Sequence, residues 1–185
     1  VNAQLTRRAL LAAAPTVLAL SCRGKPAQAQ DPASPQVDML PLTSIVPANP
    51  PKALAPVRLT TLDGLPKTLA DYAGQKIVLN FWATWCIPCV AELPELDSLA
   101  ATGSFAVLAV SADRSGAAAV KPFLAAHHIS RLTILLDPGS DAVHALGVAG
   151  FPTTLLIGPD GRLRGTLEGP AAWGSAAPTL SRLLG

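Results

Sequence analysis

Downstream of about residue 57, the chain alternates between short unbroken apolar runs and stretches whose apolar residues recur with a helical period. Ile77, Val78, Leu79, Phe81 and Trp82 make Lys76–Trp82 a strand with both faces buried. After it, Cys89, Leu93, Leu96 and Ala100 recur at spacings of three and four, which predicts a helix from Cys86 to about Ala101. Pro94 falls inside that helix and is expected to kink it, because its ring clashes with the carbonyl of Val90. Phe105–Ser111 reads as a second buried strand, Ala117–His127 as a second helix, Leu132–Leu136 as a short strand and Asp141–Leu146 as a helical turn. Thr153–Ile157 and Arg162–Leu167 flank Gly158-Pro159-Asp160-Gly161, a hairpin signal, and Ser175–Leu184 is a closing helix. Ahead of these lie a strand at Val57–Leu62 and a turn at Asp63-Gly64. Alternating strands and helices with a late hairpin indicate an α/β fold, a mixed central sheet flanked by helices.

The first 56 residues carry no such period. Arg7 and Arg8 precede an uncharged apolar stretch from Ala9 to Leu20, short for a membrane span, and Ala27-Gln28-Ala29 supplies a small-x-small cleavage site. Residues 1–29 are therefore expected to be a signal peptide, with a twin-arginine flavour from Thr6-Arg7-Arg8, and the mature protein to be periplasmic. Cleavage after Ala29 removes Cys22, and Ala19-Leu20-Ser21-Cys22 is a poor lipoprotein box, so a lipid anchor at Cys22 is the lesser expectation. Residues 30–56 hold Pro32, Pro35, Pro41, Pro47, Pro50, Pro51 and Pro56 and are expected to form a stiff tether ahead of one domain at 57–185.

Charge narrows the partners. In 185 residues the net charge is +2 and 14% are Asp, Glu, Lys or Arg, with no basic cluster, so no nucleic acid is expected.

The chemistry concentrates at Trp85-Cys86-Ile87-Pro88-Cys89. Cys86 falls at the junction of strand and helix, where free backbone N–H groups and the helix dipole stabilise a thiolate. It is the expected nucleophile. Cys89, one turn on and more buried, is the expected resolving thiol. Such a pair also occurs in zinc sites, structural staples and haem attachment motifs. Val90 breaks the haem motif, no second pair exists for a zinc finger, and a staple across so short a loop restrains the unfolded chain little.

The segment Asn80-Phe-Trp-Ala-Thr-Trp-Cys-Ile-Pro-Cys-Val-Ala-Glu-Leu-Pro94 resembles the active-site segment of the TlpA/ResA-like thiol:disulfide oxidoreductases of the thioredoxin superfamily. Leu59–Gly74 is similar to that family's opening hairpin, and Gly147–Gly161 to its cis-proline segment, so the resemblance covers about residues 55–185. It implies a thioredoxin fold with an N-terminal hairpin extension. It also implies a redox disulfide between Cys86 and Cys89, no other cofactor and no metal, and a cis peptide before Pro152. Phe151 and Pro152 would then join Trp85 in a substrate-binding surface. Glu92, which as an isolated residue reads best as a solvated helix position, becomes a candidate proton acceptor for Cys89. Asn80 stands where classical thioredoxins carry a buried Asp. The implied partners are protein disulfides, in cytochrome c or copper-site maturation, and a membrane thiol-reductant donor; the protein is expected to be a monomer.

Two alternatives remain at this stage. A copper-binding assembly factor would use Cys86, Cys89 and a histidine such as His144. A peroxiredoxin-like peroxidase would need a Pro-x-x-x-Thr-x-x-Cys pattern, and Thr84 stands two positions before Cys86, not three. The remaining conspicuous residues are expected to be structural: Trp82 in the core, Trp85 covering the disulfide, Trp173 as packing, His127 and His128 at a helix end and His144 as a surface or packing residue.

Overall fold

The computed structural model describes residues 37–185; the signal-peptide and Cys22 expectations lie outside that range. Eight strands are found among the described residues: β1 (Val46–Lys52), β2 (Leu59–Thr61), β3 (Pro66–Lys67), β4 (Ile77–Trp82), β5 (Ala106–Ser111), β6 (Thr133–Leu136), β7 (Thr153–Ile157) and β8 (Leu163–Glu168). Four α-helices accompany them: α1 (Ile87–Ala101), α2 (Ala117–Ala126), α3 (Asp141–Ala145) and α4 (Ala177–Leu184). The strands make one sheet in the order β1-β8-β7-β4-β5-β6-β2-β3. β4 pairs in parallel with β5, and β5 with β6, whereas β7 runs antiparallel to both β4 and β8. The expected mixed sheet covered by helices is present, and its short β2–β3 pair extends one edge beyond β6.

β4 is the reason the fold centres where it does. All six of its residues are buried, and the period of two divides them between the two faces of the sheet. Ile77, Leu79 and Phe81 join one apolar cluster, while Val78 and Trp82 join the other, which also holds Cys86, Cys89, Leu93, Leu96 and Leu99 of the α1 segment. Asn80 is fully buried and shares the parity of Val78 and Trp82, so its amide faces α1. The helix runs unbroken through Pro94; four residues on, the Ser98 hydroxyl donates to the Pro94 carbonyl at 2.9 Å.

One expectation is corrected. Residues 46–52, assigned to the tether, form β1 and pair antiparallel with β8, with a register shift between Pro47 and Lys52. A proline-rich strand is tolerated because β1 is the outermost strand on its side, where missing N–H groups break no internal ladder. The contact begins still earlier: Leu40 N–H donates to the Pro170 carbonyl at 2.7 Å and its own carbonyl accepts from Ala172 N–H at 3.1 Å. The folded unit therefore includes residues well ahead of Val57.

Candidate active site

Antiparallel pairing brings distant residues to one end of the sheet. Phe81 opposes Thr153 across the β4–β7 ladder, so the end of β4, which leads into the cysteines, lies beside the start of β7, which follows Phe151-Pro152. The Phe151–Pro152 peptide is cis, as the resemblance implied. Trp85 and Phe151 meet edge to face with ring centroids 5.9 Å apart.

Cys86 caps α1, and its sulfur accepts the Cys89 N–H at 3.3 Å. A helix N-terminus stabilises negative charge, because its first N–H groups have no partner within the helix. The two cysteines are joined in a disulfide with Cα atoms 5.3 Å apart. Cys89 is fully buried, and Cys86 is only 6% exposed. Cys86, the less buried of the pair as expected, thus shows only a narrow opening, and the surface around it is apolar, made by Trp85 at 68% and Ile87 at 60% exposure. Trp85 stands out into solvent against Phe151.

The loop that delivers Cys86 is fastened by a buried carboxylate absent from the sequence reading. Asp113, which follows β5, accepts the Thr84 N–H at 2.9 Å, the Thr84 hydroxyl at 2.6 Å and the Ser111 hydroxyl at 2.8 Å. A short tight turn, with Cys86 N–H donating to the Ala83 carbonyl at 3.1 Å, completes the approach to the helix. The signal available in the sequence was Ser111-Ala112-Asp113, polar residues closing an apolar strand, but nothing local says that they reach Thr84.

Glu92 lies one turn beyond Cys89 on α1 and is fully buried, not solvated. Its Oε1 accepts the Asn80 amide at 2.7 Å. Its Oε2 accepts the Ala171 N–H at 2.9 Å and the Trp173 indole N–H at 3.0 Å. Burial pushes the carboxyl up to about 7, against the three hydrogen bonds that favour its charged form, with the nearby Glu95 charge adding to the rise. The Asn80 amide also reaches the Thr154 hydroxyl at 3.0 Å, since Thr154 stands directly opposite Asn80 on β7. Trp173 packs, as expected, at 1% exposure. Its further use as a donor to Glu92 was not foreseen, although a buried indole N–H generally finds an acceptor.

The other expectations resolve simply. Trp82 is in the core and stacks obliquely on Phe123, with centroids 5.4 Å apart. His127 closes α2, stacked on Phe123 at 4.2 Å, and His144 is exposed on α3. Among the described residues no three His, Cys, Asp or Glu side chains converge as a metal shell. No helix among the described residues is long and apolar enough to cross a membrane.

Comparison with known proteins agrees with this geometry. The Redoxin family matches residues 36–184. The thiol-disulfide oxidoreductase ResA of Bacillus thuringiensis subsp. konkukian is 32% identical over 114 residues, which span 60% of this chain and 65% of that protein. The exposed lipoprotein thioredoxin of Streptococcus pneumoniae superposes with a TM-score of 0.61 at 31% identity, covering 69% of this chain and 99% of that one. A Chlorobium tepidum protein assigned as the thiol:disulfide interchange protein DsbE gives 0.63 at 28% identity, covering 73% and 97%. With the disulfide at the helix cap, the cis-proline beside it and a family match over nearly all the described residues, the chain belongs to the Redoxin family as a ResA/TlpA-like member of the thioredoxin superfamily.

Proposed function

We propose that this protein is a thiol:disulfide oxidoreductase that reduces selected protein disulfides in the periplasm, using no cofactor beyond the Cys86–Cys89 pair. The observation that carries the reading is the cap: a sulfur at the start of α1, holding the Cys89 N–H and bonded to a buried second sulfur. In the dithiol form, Cys86 as thiolate attacks one sulfur of a substrate disulfide. A mixed disulfide forms and the other substrate sulfur leaves with the electron pair as a thiolate. Cys89 then loses its proton and attacks the Cys86 sulfur. The enzyme disulfide closes and the second substrate thiol is released, so the substrate gains the two electrons that the enzyme loses.

Glu92 suits the proton transfer at the second step. It is one helical turn from Cys89 and its carboxyl lies near neutrality, where an acceptor of a thiol proton works best. Trp85, Phe151 and Pro152 form the surface against which a substrate strand lies, with Phe151 offering its backbone amide and carbonyl. A membrane thiol-reductant donor would restore the dithiol. Cytochrome c or copper-site proteins would be the clients, and the monomer the working unit.

The direction of electron flow rests partly on Ile87 and Pro88, which put no charge or polar side-chain donor between the cysteines. Less thiolate stabilisation gives a less oxidising disulfide, nearer the thioredoxin value of about −270 mV than the DsbA value of about −120 mV. Equilibration with glutathione or dithiothreitol measures it, and a potential near the higher value would reverse the direction. Disulfide exchange on a reporter protein tests the roles. Cys86→Ser should abolish exchange, whereas Cys89→Ser should trap mixed disulfides through Cys86; trapping by the Cys86→Ser variant instead would exchange the two assignments.

A further inference from the structure

The three partners of Glu92 are not equivalent as proton-bearing groups. The Ala171 N–H and the Trp173 indole N–H can only donate, and both donate to Oε2. An acidic proton on Oε2 would face two hydrogens that cannot turn away: the indole lies on a fully packed ring at 1% exposure, and the amide belongs to a backbone held by Leu40. Oε1 faces only the Asn80 side-chain amide, which has a donor end and an acceptor end and exchanges them by a half-turn of its terminal torsion. The Asn80 Oδ1 atom is buried and makes no hydrogen bond, whereas its Nδ2 serves both Glu92 and the Thr154 hydroxyl.

From this arrangement, and resting on the exchange reading above, we infer that Trp173 and Asn80 are positioning residues for the proton of Glu92: Trp173 with the Ala171 amide confines the proton to Oε1, and the Asn80 amide turns over each time it arrives or leaves. With Glu92 charged, Nδ2 donates to Oε1 and to the Thr154 oxygen, as observed. With Glu92 protonated, Oδ1 swings in to accept from the Oε1–H, and the Thr154 hydroxyl reverses from acceptor to donor. One proton is gained at Oε1, every Glu92 hydrogen bond is retained, and neither packed ring nor backbone has to move. The acid thus keeps a hydrogen-bond partner at Oε1 in both protonation states inside a closed core, which suits a base that must take up and release a proton in each cycle.

The charged and titratable surroundings are few. α1 brings Glu95 and the two cysteines; β4 and β7 bring the neutral Asn80 and Thr154; the segment after β8 brings only Ala171 and Trp173. Glu95 accepts the Trp173 and Gly174 backbone N–H groups at 2.5 and 2.8 Å, so it fastens the same segment to the helix from the next turn.

The test uses the oxidised protein, in which the cysteines do not titrate, and follows the Trp173 indole and Asn80 side-chain amide resonances by NMR as pH is varied. Both should move with a single shared midpoint near neutrality. Glu92→Gln should abolish both titrations, because its amide imitates the protonated acid with a permanent donor toward Asn80. Because His127, His128 and His144 are retained in this variant, it isolates the contribution of Glu92. Trp173→Phe deletes one donor to the charged form while keeping an aromatic ring at the site, so the Asn80 midpoint should rise by about one pH unit. The pH profile of exchange should move to higher pH with it. An indole that titrates beside an Asn80 amide that does not would overturn the inference, as would an unchanged midpoint in a folded Trp173→Phe protein. The wild-type titration needs no variant to fold. Because it is read without substrate, loss of exchange activity alone would count against the functional reading and leave the proton network standing.

Discussion

Two buried carboxylates flank the cysteine pair, and they serve opposite purposes. Asp113 reaches the loop ahead of Cys86 and is met by two hydroxyls and a backbone N–H; Glu92 lies on the helix behind Cys89 and is met by an amide, an indole and a backbone N–H. The Asp113 partners belong to the segments it joins, Thr84 on the redox loop and Ser111 at the end of β5, so its hydrogen bonds act as a fastening. The Glu92 partners converge from β4 and from the segment after β8 on a side chain with 0% exposure. There desolvation outweighs three hydrogen bonds and brings the carboxyl up to about 7. Similar numbers of hydrogen bonds thus accompany a staple in one place and the proposed proton site in the other. What distinguishes them is which segments the partners tie together.

Removing the fastening should have the largest effect. Asp113→Ala leaves the Thr84 N–H and two hydroxyls without their acceptor and should cost about 3 kcal/mol or more in denaturant unfolding. It should also slow exchange at every pH, because the approach to Cys86 is loosened. A variant of unchanged stability would show that the loop is held by its own turn.

Glu92→Gln should separate the two regions most sharply. A carboxyl raised from 4.5 to about 7 favours its protonated form in the folded protein. Its contribution to stability is therefore fully present below about pH 4.5 and is lost as pH rises toward 7, a change of about 3 kcal/mol. Glu92→Gln should flatten that dependence and be the more stable protein above pH 7, while slowing resolution of the mixed disulfide. Unfolding curves at pH 5 and pH 8 provide the check; parallel curves for the two proteins would mean that Glu92 carries no proton in this range.

The smallest effect is expected from Ser111→Ala, which deprives Asp113 of one hydroxyl but leaves both Thr84 bonds in place. About 1 kcal/mol of stability should be lost, with the pH profile of exchange unmoved. A shifted profile would couple the two carboxylates, which share no hydrogen-bond partner.

Much of this fold is legible along the chain. The unbroken apolar run of β4, the helical period of α1 and the hairpin signal at Gly158–Gly161 are local patterns, and local patterns set by backbone geometry survive folding largely intact. The cysteine pair, its place at a helix start and Glu92 one turn on are likewise fixed by spacing alone. β1 escaped because proline removes the donors by which strands are recognised, and only the edge position beside β8 makes Val46–Lys52 a strand.

The amino-acid sequence by itself determined which groups could react and in what order they meet a helix: the cysteines at its cap, the carboxylate behind them and the aromatic and proline residues of a resembled substrate surface. Tertiary structure decided how those groups behave. Antiparallel pairing of β4 with β7 set Thr154 against Asn80 and Phe151 beside Trp85, and the return of the chain after β8 carried Ala171 and Trp173 onto Glu92. The partners of Glu92 lie up to 81 residues away, beyond the reach of any local period, and its proton affinity depends on the water they exclude. Spacing along a chain fixes which side chains share a helix face; desolvation and hydrogen bonding at a buried carboxyl are properties of the assembled core.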